Sequence, residues 1–171
     1  MNRLLRNISF VVGVLTMPLI SCGSGGVDPN AANANAGCES ATADLLTETA
    51  TMLPGRACQN CHKDGGQAPA ADVRWTVSGT VYSSATAACN SGGVAGATVE
   101  ILTASGSVQA TLTTNAAGNF YTTQAVTFPL RARVKKGAMT AEMSTPQANG
   151  NCASCHAKPG VSGAPGRLYL Q

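Results

Sequence analysis

The pentapeptide CQNCH, Cys58 to His62, returns as CASCH, Cys152 to His156, and the two copies hold both histidines of the chain. This repeat restricts the fold more than any other feature, because two distant segments must present the same local chemistry. Two thiols on one turn with an imidazole next in sequence is the arrangement that attaches c-type haem, the cysteines bonding the vinyl groups and the histidine ligating iron. Cys58, Cys61 and His62 form one such set, and Cys152, Cys155 and His156 the other. Zinc could instead join both CxxC pairs in one tetrahedral four-thiolate site, which would leave the adjacent histidines unexplained. A third possibility is that each pair closes on itself as a disulfide in an oxidising compartment.

The N-terminus bears on the compartment. Arg3 and Arg6 precede the uncharged apolar run ISFVVGVLTMPLI, and Ser21 and Cys22 follow at once. A basic region, a short apolar region and a small residue before the cut describe an export signal, too short for a comfortable membrane span. The junction LISC, Leu19 to Cys22, resembles the lipobox of bacterial lipoproteins. That resemblance implies cleavage after residue 21, lipidation of Cys22 and firm attachment to a bilayer by several acyl chains. Gly23 stands where an inner-membrane retention aspartate would have stood, which favours the outer membrane.

Without residues 1–21, 150 of the 171 residues remain, enough for one domain with its own core. Two of the 11 Lys and Arg residues leave with the signal, so nine bases face eight acids. With charge this balanced and no basic block or aromatic ladder, a nucleic-acid partner is not expected. Residues 22–37 are mostly glycine, asparagine and alanine and read as a flexible tether. The first cofactor-binding segment is placed at 38–72, a β-domain at 73–138 and the second segment at 139–171. Within the first, Ala41, Leu45, Thr49 and Met52 approach helical spacing, so a short helix is expected from Cys38 to Leu53.

From Trp75 to Val134 the pattern becomes that of short strands: RWTVSGTVY, GATVEIL, SVQATLTT and FPLRARVKKG alternate, with turn residues between them. Such spacing without intervening helices predicts a mainly β fold, an antiparallel β-sandwich. The runs SGTVY, GGVAGATVEIL and TLTTNAAGNFYTT, with Gly79, Gly96, Gly118 and Phe120, resemble the carboxypeptidase regulatory-like domain, a transthyretin-like seven-stranded sandwich. That family implies a folding or binding module without catalysis. The flanks MLPGRACQNCHKDGGQAPA and MSTPQANGNCASCHAKPGVSGAPG repeat one another around it. Taken together, the chain resembles small exported multihaem c-type cytochromes in which such a sandwich is flanked by haem-binding loops. The resemblance implies two covalently bound haem c groups, electron transfer at the cell envelope, and redox partner proteins or extracellular electron acceptors as partners.

The remaining residues sort by elimination. Seven cysteines, less Cys22 and the four in the motifs, leave Cys38 and Cys89, which should pair in an oxidising compartment. With both histidines proximal, the sixth iron ligands come from elsewhere. Met52 and Met143 precede the two motifs at matching places and are the candidate axial ligands, with Met139 as substitute. Tyr82 and Phe120 are expected in the sandwich core, and Lys63, Lys158 and Arg167 as solvated loop charges. Arg131, Arg133, Lys135 and Lys136 are expected on a solvated strand face. A dihaem peroxidase would need an acid or base beside an open iron, and no spare histidine serves. The alternative from another class is a non-enzymatic surface binding lipoprotein whose CxxC pairs bind zinc or form disulfides.

Overall fold

A computed structural model describes Cys38, residues 49–66, Ala68 and residues 70–171. The expected export signal, Cys22 anchor and tether, and most of the helix expected after Cys38, lie outside these residues. The described end of that stretch, residues 49–53, forms turns, and Leu53 takes a φ of +43° on the approach to Pro54 and Gly55.

Alternating runs rich in Val, Thr and Ile become strands because branched side chains pack well on a pleated, half-buried surface. The strands are β1 (Val77–Thr80), β2 (Thr98–Thr103), β3 (Val108–Thr113), β4 (Asn119–Thr122), β5 (Leu130–Lys136) and β6 (Met139–Glu142). β1 pairs with β4 in one sheet, and β3, β2, β5 and β6 lie in that order in a second. Every pairing is antiparallel. The chain is thus mainly β and sandwich-like, as the alternation predicts. β6 was not among the expected runs; after the turn at Gly137 (φ +57°) it continues the sheet from β5.

The core lies between the sheets. Val77, Val81, Val99, Ile101, Phe120, Leu130, Ala132 and Val134 are buried together, joined by Leu168 and Leu170 from the chain end. Fully burying side chains of this size contributes about 1.5–3 kcal/mol each. On β5 the alternation is complete: Leu130, Ala132 and Val134 face the core, while Arg131, Arg133 and Lys135 face outward. There Glu100 of β2 takes Arg133 at 2.5 Å and Lys135 at 2.7 Å, and Glu142 of β6 takes Arg131 at 3.1 Å and Arg133 at 3.2 Å. The basic run is therefore a solvated strand face held in an ion-pair row. Tyr82 and Phe120 are buried, as expected.

Two features pin the edge of this core. Cys38 and Cys89 form a disulfide, their Cα atoms 5.4 Å apart, as the cysteine arithmetic predicts. Arg167 is no solvated loop charge: it is 1% exposed. Its guanidinium lies 4.7 Å from the Tyr82 ring centroid and donates to Ala87 O and to both disulfide sulfurs. The reason for the correction is local. Leu168 and Leu170 must reach the core, and Tyr82 N–H donates to Leu168 O, so the residue before them is drawn beneath the surface.

Candidate functional site

β1 is the floor on which both CxxCH segments stand. The first segment runs directly into it, Trp75 N–H donating to His62 O at 3.2 Å two residues before the strand begins. The second leaves from its free edge and returns just past its end: Asn151 forms a parallel bridge with Ser78 of β1, and Tyr169 one with Tyr82, two residues beyond the strand. The excursion between Asn151 and Tyr169 holds the whole of CASCH. Residues far apart in sequence thus come together, and Ala57, just before the first motif, and Ala153, within the second, are buried against one another.

The two copies have the same local geometry. Each begins with a single 3-10 turn, Cys58–Asn60 and Cys152–Ser154. The preceding residues, Ala57 (φ −74°, ψ 79°) and Asn151 (φ −84°, ψ 83°), match, as do Cys61 (φ −107°, ψ −42°) and Cys155 (φ −114°, ψ −42°). His62 N–H donates to Cys58 O at 2.9 Å, and His156 N–H to Cys152 O at 2.8 Å. The carbonyl of the second cysteine is also used alike, accepting from Ala68 in the first copy and from Val161 in the second. The sequence repeat is therefore a structural repeat.

The imidazoles are oriented by the same device. His62 Nδ1 lies 3.0 Å from Val73 O and His156 Nδ1 3.1 Å from Gly166 O. A carbonyl only accepts, so a neutral ring must carry its proton on Nδ1 and keep the lone pair on Nε2, the form that ligates a metal. Burial lowers the pKa of His156, with the Gly166 hydrogen bond opposing it, so the neutral ring is favoured there. The carbonyls of Val73 and Gly166 are functional groups that residue-type reasoning does not see; only their similar offsets after each histidine, 11 and 10 residues, hinted at them.

The first thiol of each motif, on Cys58 and Cys152, faces inward over β1. Cys58 is pushed up to about 11 by burial, which outweighs the Ser78 hydroxyl and a backbone hydrogen bond. Cys152 is pushed up to about 12 by burial first and by the nearby Cys58 sulfur second. Both residues are partly exposed overall, so this desolvation belongs to the sulfur and not to the whole residue. The first cysteines of the two motifs are thus neighbours, with Ser78, fully buried on β1, against Cys58. Cys58, Cys152 and Cys155 are free thiols, so neither CxxC pair is closed on itself. Cys61 is disulfide-bonded and would need reduction before it could form a thioether. Among the described residues no group of three or more His, Cys, Asp or Glu side chains is gathered closely enough to hold a bare metal ion.

The candidate axial methionines are placed differently. Met143 lines a small hollow beside Leu130, Cys152, Cys155 and His156, which brings it to the second motif. Met52 is partly buried near the start of β4, where its carbonyl accepts from Asn119 Nδ2 at 3.0 Å. Met139 is exposed on β6. The most informative residue outside the motifs is Trp75, which no motif singles out and which lies stacked on His62. Compared with family models, curated proteins and solved structures, the chain matches none.

Proposed function

We propose that this chain is a lipid-anchored dihaem c-type cytochrome that passes single electrons at the bacterial cell envelope. The observation that carries the reading is the matched presentation of both CxxCH segments on β1, each with its histidine Nδ1 at hydrogen-bond distance from a backbone carbonyl. A four-thiolate zinc site or a disulfide staple would leave the two imidazoles next to the thiols unused, whereas haem attachment uses every repeated group. The donor set therefore fits two haem c groups. Cys58, Cys61 and His62 would hold one, and Cys152, Cys155 and His156 the other. When bound, the group supplies a one-electron change at iron.

The chain's own residues position and insulate. β1 sets the two segments side by side, so haems held by them would be carried on one strand, and electrons would pass on to redox partner proteins or extracellular acceptors. Met143 is the better placed of the two candidate sixth ligands. Cys22 is the proposed acylation site on the outer membrane, and among the described residues no helix is long and apolar enough to cross a membrane.

Expression with a cytochrome maturation system tests the reading. The purified chain should be red, heavier by two haems, and keep its pigment on denaturation, and Cys61→Ala and Cys155→Ala should each lose one haem. A colourless full-length chain carrying stoichiometric zinc refutes it.

A further inference from the structure

The two histidines share one backbone geometry but not one environment. His62 stacks on Trp75, ring centroids 3.7 Å apart and planes 11° from parallel. Trp75 stacks in turn on Tyr121 at 4.2 Å and 13°. The three rings form a continuous column from the first motif to the surface, where Tyr121 is 37% exposed. Among the described residues no aromatic ring stacks on His156.

Trp75 is not placed as a core residue. It is half-buried and stands outside the cluster of Val77, Ile101, Phe120 and Leu130 that fills the sandwich. Its backbone N–H donates to His62 O, and its indole covers one face of the same residue's ring. With Nδ1 held by Val73 O as well, the imidazole of His62 loses its freedom to turn about the Cβ–Cγ bond. Tyr121, rooted in β4 opposite Ser78, closes the far face of the indole and keeps it from swinging away.

We infer that Trp75, braced by Tyr121, is a positioning residue for the His62 imidazole, and that it makes the first iron site electronically different from the second. The inference rests on the haem reading above. The plane of a ligating imidazole decides which iron d orbitals it overlaps, and groups behind a metal-bound histidine tune the metal through the ring. An electron-rich indole face against the imidazole strengthens its donation and favours ferric iron. Its removal should favour ferrous iron at that site alone.

The experiment compares wild type, Trp75→Leu, Trp75→Phe and Tyr121→Ala, each as the full chain matured with haem, by electron paramagnetic resonance and redox titration. Trp75→Leu should alter one of two low-spin signals and shift that haem's ferric-to-ferrous equilibrium about threefold, some 30 mV at 59 mV per tenfold for one electron. Trp75→Phe, which keeps a stacking face, should restore most of the signal, and Tyr121→Ala should give a smaller shift of the same sign. In protein expressed without haem, the His62 ring protons should lie upfield in the magnetic resonance spectrum and return to ordinary positions in Trp75→Leu, while those of His156 stay put. Two haems present, with both signals or neither changed by Trp75→Leu, overturns the inference and leaves the dihaem reading standing. A wild-type chain that takes up no haem overturns both, and the proton shifts then report only a packing contact.

Discussion

Gly79→Ala probes how tightly the second motif is seated on the sandwich. A Cβ built on Gly79 would lie 2.7 Å from Phe120 Cζ, 3.0 Å from Phe120 Cε1 and 2.9 Å from Cys152 Cβ. Neither neighbour is a loose chain end: Phe120 is 2% exposed and pairs with Gly79 across β1 and β4, and Cys152 belongs to the motif turn. Overpacking of this kind typically costs about 1–3 kcal/mol, because side chains leave their rotamers or the backbone shifts. Alanine returns about 0.4–1 kcal/mol by restricting the unfolded chain. The net expectation is a loss of about 1–2 kcal/mol, read as a lower urea midpoint with an unchanged slope. Adding Phe120→Leu should relieve part of the clash, so the double mutant is more stable than the sum of the single changes by at least about 0.5 kcal/mol. A neutral or stabilising Gly79→Ala, or strict additivity with Phe120→Leu, would refute the claim that β1 directly supports the Cys152 turn.

Three other outcomes follow from the same structure. Cys89→Ala opens a link spanning 51 positions and removes an acceptor from the buried Arg167, and should cost about 2–4 kcal/mol by denaturant titration, with reductant producing a similar loss in wild type. Lys135 and Arg133 hold the Glu100 carboxyl below its ordinary 4.5, so its contribution is fully present above that value and is lost as pH falls through the lower folded-state value. Glu100→Gln should therefore lower stability at neutral pH and flatten its fall in that acid range, a difference that shrinks in high salt. Met143→Ala should weaken a sulfur-to-iron charge-transfer band and lower one haem's potential. If Met143 only packs against the core, the spectrum stays unchanged and about 1–2 kcal/mol is lost, since the side chain is only partly buried.

Local chemistry was legible without coordinates. The two CxxCH pentapeptides form matching 3-10 turns, and the two copies could be paired from spelling alone. Period-two alternation determined β2, β3 and β5 and which side of β5 faces solvent, since successive side chains on a strand point to opposite faces. Cysteine arithmetic pointed to the Cys38–Cys89 bond, because setting aside Cys22 and the four motif cysteines leaves that pair alone.

What the tertiary structure decided is where these local units meet. β6 carries no long alternation in the sequence: its four residues, Met139–Glu142, are a strand only because β5 offers them a ladder. Arg167 reads as a surface cation in any window of its neighbours, and it is buried because two leucines beyond it belong to the core while Tyr82 and the disulfide enclose it. Trp75 carries no motif signal of its own, and its stacking partner is a histidine in a preceding loop. The joining of two motifs on β1 is likewise absent from any local pattern, because the bridges Ser78–Asn151 and Tyr82–Tyr169 pair residues separated by most of the domain. Backbone propensity and spacing act over a few residues and are written in the sequence; the contacts that set the two motifs side by side arise from packing the whole chain around one core, and only the folded molecule contains them.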